Sequence, residues 1–212
     1  MPVSKRLQLV LGTLLTLATL AWAPTAASAA PVATGTRAGP VGAPVSILAQ
    51  ATAQRQAMAH ALAATSCLAD PVTIRSTSNG RYVSAELGYG GSSYAMLRAR
   101  ATAVGPWEKF YLCWGDGYSA DQWALLAAGN ADYVSAELGY TGSSYAMLRA
   151  RATALGPWEK FRWLTNGNDE LLSVQNGRYV SAELGYTGSS YAMLRARATA
   201  IGPWEQFTIS YV

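Results

Sequence analysis

Residues 170–184, ELLSVQNGRYVSAEL, form two short runs of alternating apolar and polar residues on either side of Asn176-Gly177. An Asn-Gly pair between two such runs favours a β-hairpin, and RYVSAEL alternates with the period of a half-buried strand. Working outward, a Gly/Ser/Tyr loop comes next, then AMLRARAT (192–199) with a second alternation, a break at Gly202-Pro203, and WEQFTISYV (204–212). The stretch reads as four strands.

The same order occurs twice upstream. VTIRST, Asn79-Gly80, RYVSAEL, AMLRARAT, Gly105-Pro106 and WEKFYLCW make a first unit; QWALLAA, Gly129-Asn130, DYVSAEL, AMLRARAT, Gly156-Pro157 and WEKFRWL make a second. Tyr82, Tyr133 and Tyr179 lie 51 and 46 residues apart, and Trp107, Trp158 and Trp204 keep the same intervals. Such a period marks a repeat architecture. A bladed propeller has at least about four units, and an open solenoid needs atypical caps. A barrel closed by three-fold repetition, with a hairpin cap, meets both objections. The expected fold class is all-β: a β-trefoil of three four-stranded repeats (about 70–114, 115–165 and 166–212) within residues 67–212.

Upstream lie segments of other composition. Lys5 and Arg6, the apolar run Leu7 to Trp22 and the small triplet Ala27-Ser28-Ala29 follow the pattern of a signal peptide over residues 1–29. The apolar run is shorter than the ~20 residues of a membrane span, so the expectation is a cleaved leader and a secreted, extracellular protein without a membrane anchor. Its loss takes two positive charges and changes the formal +4 to +2, which is no footprint for nucleic acid. Residues 30–45, rich in Pro, Gly, Ala and Thr, read as a flexible linker. Residues 46–66, SILAQATAQRQAMAHALAATS, lack Pro and Gly and favour helix. His60, the only histidine, has no second catalytic group at helical spacing and reads as an exposed bystander. Cys67 and Cys113 are the only cysteines and enclose the first repeat. In an exported protein they are expected to form a structural disulfide, since neither a CxxC spacing nor a nearby histidine points to redox or metal chemistry.

The succession of a GRYVSAE-type strand, LRA and GPWExF resembles the repeat of fascin-like β-trefoil domains, the fascin and actin-crosslinking-like superfamily, over roughly residues 70–212. Fascins bundle actin inside cells with several tandem trefoils, whereas this chain has one trefoil and an export signal, as in secreted bacterial-type single-trefoil proteins. Ricin-type lectins share the architecture and bind sugars in repeated shallow pockets. The resemblance therefore implies an extracellular module binding a polysaccharide or glycoconjugate, with a protein-interaction or filament-crosslinking module as the alternative.

Within the repeat, the loop ELGYGGSSY and its copies hold Tyr89 with Tyr94, Tyr140 with Tyr145, and Tyr186 with Tyr191, half of the twelve tyrosines. A tip made only for chain reversal uses Gly, Asn, Asp or Ser, whereas Tyr with Ser and Gly is the composition of adaptable binding loops. The first tyrosine of each pair is expected to be the freer, because its glycine neighbours leave it least packed. Glu86, Glu137 and Glu183 end the preceding strand at the same tip, placed to accept hydrogen bonds from sugar hydroxyls. These nine residues are the candidate ligand site. Trp107, Trp158 and Trp204, with Phe110, Phe161 and Phe207 three residues on, are expected in the core. Arg98, Arg100 and their counterparts Arg149, Arg151, Arg195 and Arg197 share one strand face, read as a soluble outer face pairing with Glu86-type or Glu108-type carboxylates. A glycosidase needs two carboxyls in unequal environments, and triplication supplies equal ones. With no nucleophile motif, metal cluster or phosphate loop, the expectation is a module that is not an enzyme and carries no cofactor.

Overall fold

The computed structural model describes residues 46–58 and 65–212. The expected leader (1–29), linker (30–45) and His60 lie outside the described residues. Among the described residues one α-helix, α1 (Ile47–Met58), precedes thirteen strands: β1 (Ser66–Cys67), β2 (Val72–Ser76), β3 (Tyr82–Glu86), β4 (Met96–Ala101), β5 (Phe110–Trp114), β6 (Gln122–Ala127), β7 (Tyr133–Glu137), β8 (Met147–Ala152), β9 (Phe161–Thr165), β10 (Asp169–Ser173), β11 (Arg178–Glu183), β12 (Met193–Ala198) and β13 (Phe207–Tyr211). The hydroxyl of Ser46 accepts from Ala49 N at 3.2 Å and caps α1, while Ile47, Leu48 and Ala51 join the core cluster. Ser66, which composition groups with the helical segment, instead pairs with Trp114.

Three units of four strands follow: β2–β5, β6–β9 and β10–β13. The outer strands of each unit close a ring, because β2 pairs with β5 and β13, β6 with β5 and β9, and β10 with β9 and β13. The inner strands form hairpins β3–β4, β7–β8 and β11–β12, which cap one end. At the cap β4, β8 and β12 meet pairwise, Met96 opposite Arg149, Met147 opposite Arg195 and Met193 opposite Arg98. The core repeats with the chain: Leu97, Leu148 and Leu194 are fully buried, as are Val83, Val134 and Val180, with Phe110, Phe161 and Phe207 beside them. Burying each leucine stabilises the fold by about 1.5–3 kcal/mol. Two carboxyls interrupt this pattern in unit 3. Burial pushes both Asp169 and Glu170 up from the ordinary carboxylate range, and the charge of Asp169 adds to the effect on Glu170.

The turns between the first two strands hold five residues in units 1 and 2 (77–81 and 128–132) and four in unit 3 (174–177), rather than a two-residue Asn-Gly turn. Asn79, Asn130 and Asn176 tie each turn to the third strand, their Nδ2 donating at 2.8 Å to the carbonyls of Ala99, Ala150 and Ala196. Gly80 and Gly177 follow in the left-handed region at φ 66° and 63°, and unit 2 places Ala131 there at φ 59°. A methyl group in that region costs roughly 1 kcal/mol. Ala131→Gly is therefore expected to raise stability by about 1 kcal/mol less a few tenths for the freer unfolded chain. In a thermal melt that is a rise of about 2–4 °C; an unchanged or lower melting temperature would show the turn to be unstrained.

Candidate functional site

Gly-Pro-Trp-Glu does not enter the core. Pro106–Glu108, Pro157–Glu159 and Pro203–Glu205 are single 3-10 turns that end before the strands starting at Phe110, Phe161 and Phe207. Proline pre-sets the first position of such a turn. The glutamate closes it, its Oε2 accepting from Gly105 N, Gly156 N and Gly202 N at 2.7 Å. Between them the tryptophan is held at the surface: Trp107, Trp158 and Trp204 are 40%, 37% and 39% exposed. The expectation that they pack in the core is overturned. Phenylalanine three residues on fills the inward position at the start of the strand, and the turn aims the indole sideways. Each ring lies against a glycine of the hairpin tip, where an added Cβ at Gly88, Gly139 or Gly185 would stand 3.6, 3.5 or 3.4 Å from it.

Beside each indole is an ion pair. Glu86, at the end of β3, is buried, and its carboxylate accepts from Arg100 Nε at 2.5 Å and Nη2 at 2.6 Å. Glu137 with Arg151 and Glu183 with Arg197 repeat this two-pronged contact. The arginine side chains stay 46% exposed. Hydrogen bonding to Glu86 outweighs burial and pushes the Arg100 guanidinium further up from its ordinary value, and the counterparts behave alike. Ser84, Glu86, Arg100, Trp107 and Glu108 line a pocket of about 370 Å³. Ser181, Glu183, Arg197, Trp204 and Glu205 line its counterpart of about 360 Å³ in unit 3. An aromatic ring thus stands beside acceptors and donors that are already fixed by their own bonds, in an open hollow.

The tyrosines serve a different structure. Tyr89, Tyr140 and Tyr186, expected to be the freer of each pair, are half-buried against a plug of Met96, Met147 and Met193. Their hydroxyls accept from the Nη1 atoms of Arg98, Arg149 and Arg195 at 2.8, 2.8 and 3.0 Å. In units 2 and 3 the second tyrosine is the more open, Tyr145 and Tyr191 being 37% and 38% exposed, while Tyr94 is half-buried like Tyr89. Arg98, Arg149 and Arg195 do not lie on an outer face: they are 4%, 4% and 3% exposed. Each guanidinium grips the tip of another unit. Arg149 donates from Nε to the Tyr94 carbonyl at 2.8 Å and from Nη2 to that of Gly91 at 3.0 Å. Arg195 holds Tyr145 and Gly142 in the same way, and Arg98 holds Tyr191 and Gly188.

The nine candidate residues therefore divide. All three glutamates pair with arginine, Arg100, Arg151 and Arg197; Glu86 and Glu183 line the pockets at Trp107 and Trp204, which contain no tip tyrosine. Ser84, Arg100, Trp107, Glu108 and their counterparts were not among the expected ligand residues. Their signal was tryptophan directly after Gly-Pro, a turn position rather than a strand position. Among the described residues no group of three or more His, Cys, Asp or Glu is placed to hold a metal ion.

No protein-family model matches the chain, and no curated protein matches it. Solved structures do. A designed three-fold symmetric protein, ThreeFoil, has a TM-score of 0.55 at 14% identity, covering 67% of this chain and 99% of that one. The BEL β-trefoil has a TM-score of 0.53 at 9% identity, with 68% and 94% covered. The agglutinin of Rhizoctonia solani has a TM-score of 0.53 at 12% identity, with 69% and 98% covered. At such identities the likeness concerns the fold alone, and together with the closed ring and hairpin cap it makes this chain a β-trefoil.

Proposed function

We propose that the chain is a non-catalytic module that binds a polysaccharide or glycoconjugate outside the cell, through three equivalent pockets centred on Trp107, Trp158 and Trp204. The observation that carries this reading is the recurrence, at each unit, of a half-exposed indole beside a carboxylate–guanidinium pair. The apolar face of a pyranose stacks on an aromatic ring, and its vicinal hydroxyls need acceptors and donors side by side. The Rhizoctonia solani protein of similar fold is an agglutinin, which supports the class of ligand. The Cys67–Cys113 disulfide supports an oxidising, extracytoplasmic setting.

A single open pocket of this kind holds a sugar at roughly millimolar affinity, about 4 kcal/mol. Three on one rigid scaffold let a polymer engage several at once, with gains of ~100-fold or more. Pull-down on insoluble cellulose, chitin, xylan and β-1,3-glucan tests the reading. Replacing all three tryptophans by alanine is expected to weaken retention by at least about 100-fold, and any one of them by about tenfold. Equal retention of the wild type and the triple variant would sink the proposal. Pelleting with protein filaments but with no polysaccharide would move the reading to a crosslinking module.

A further inference from the structure

The repeat intervals, 51 and 46 residues, differ by five. The extra residues sit at one place. The connector from β5 to β6 spans residues 115–121, whereas that from β9 to β10 spans 166–168, and β6 is one residue longer than β10. Against the long connector lies a cleft of about 680 Å³, nearly twice the volume of the 370 Å³ pocket at Trp107. Loops that depart from a rigid scaffold are where binding residues collect.

The cleft is walled by Asp116 and Tyr118 of the connector, Tyr133 at the start of β7, and Thr153, Leu155 and Lys160 of unit 2. Lys160 braces it, donating to the Gly117 carbonyl at 3.0 Å with its ammonium 4.7 Å from the Tyr118 ring centroid. In unit 3 the short connector closes directly: Asn168 Nδ2 donates at 2.9 Å to Oε1 of Gln206, the counterpart of Lys160. Thr153 and Ala154 line the cleft, and their counterparts Thr102 and Ala103 line the Trp107 pocket. The loop of unit 2 that walls the cleft is therefore the counterpart of the loop that walls the tryptophan pocket in unit 1.

The chemistry of the lining narrows the ligand. Asp116 is an exposed acceptor, the ammonium of Lys160 keeps donors beyond the one it gives Gly117, and Tyr133 and Thr153 contribute hydroxyls of either polarity. The two charges cancel, so an anionic ligand meets Asp116 and a cationic one meets Lys160. A neutral polyhydroxylated chain meets neither penalty, and Leu155 offers apolar surface to its ring faces.

We propose that unit 2 holds an extended site, in which the cleft takes the residues of a neutral oligosaccharide that follow the ring stacked on Trp158. Unit 2 alone then reads chain length. This rests on the tryptophan pockets being carbohydrate sites. Two variants of the full chain separate the sites: Trp107→Ala with Trp204→Ala leaves unit 2, and Trp158→Ala with Trp204→Ala leaves unit 1. Both are titrated calorimetrically with cellulose, xylan, chitin and β-1,3-glucan oligosaccharides, from monosaccharide to hexasaccharide. The unit 2 variant is expected to gain at least about tenfold in affinity from mono- to trisaccharide, and the unit 1 variant to show no gain. Adding Asp116→Ala and Lys160→Met to the unit 2 variant is expected to return long oligosaccharides to the affinity of the monosaccharide. Length-independent binding by the unit 2 variant, or a gain that survives these two substitutions, overturns the extended site and leaves the tryptophan reading standing. Failure of the wild type to bind any of these sugars overturns both.

Discussion

Arg149→Met is expected to lower the free energy of unfolding by about 3 kcal/mol or more, near the top of the range for a single substitution. Methionine fills a similar volume without donors. Its introduction leaves the carbonyl of Tyr94 and the hydroxyl of Tyr140 without the guanidinium, and takes from the Gly91 carbonyl one of its two donors, the other being Tyr94 N at 3.2 Å. Each buried acceptor left without a donor costs about 1–3 kcal/mol. Relief of a desolvated charge opposes this, because a buried cation is itself expensive. The acceptors decide the outcome, since the tip cannot turn its carbonyls to water without lifting Ala95. That residue is fully buried, and its carbonyl accepts from Ala150 N of the next unit at 2.9 Å. Arg149→Lys separates the two effects. Lysine keeps the charge but cannot reproduce the planar fork, so it should lose nearly as much as methionine. Urea titration measures both variants. A methionine variant within about 1 kcal/mol of wild type would mean that the guanidinium does not hold the tip.

The near-identity of the units has a physical reason in these locks. Each hairpin tip is gripped by an arginine of another unit, so a change at one vertex alters a contact between two units. Period, turn positions and strand alternation are local properties, and they were enough to read twelve strands closing as a trefoil. Which side of a strand meets the axis is not local. Arg98 and Arg100 share one face of β4 by alternation, yet Arg98 is buried under the tip of unit 3 while Arg100 reaches the surface. Only the pairing of Arg98 with Met193 across units, a tertiary register, separates them. The same gap explains the exchange of roles between aromatics. Hydropathy places tryptophan inside and tyrosine at a loop tip, but the Gly-Pro turn holds Trp107 outside, and the methionine plug draws Tyr89 in.

Removing the disulfide by Cys67→Ala with Cys113→Ala is expected to cost about 4 kcal/mol, the loop-closure entropy of a crosslink spanning 46 residues. The crosslink joins β1 to β5 and encloses almost the whole of unit 1. In the unfolded chain it therefore shortens the search by which β2 and β5 meet. Its loss should slow folding more than it speeds unfolding, because the effect lies in the denatured ensemble. The melting temperature is expected to fall by about 8–16 °C, at 2–4 °C per kcal/mol for a chain of this size. Reduced wild-type protein should match the double variant, which excludes the lost sulfur volume at the buried Cys113 as the cause. A competing outcome is local. If the bond only pins the two-residue strand β1 to the barrel, global unfolding will be unchanged, and hydrogen exchange alone will rise at residues 66–68, where Leu68 N donates to the Leu112 carbonyl at 2.9 Å. That pattern would make the disulfide a clasp for the N-terminal segment and would remove it from the stability of the trefoil.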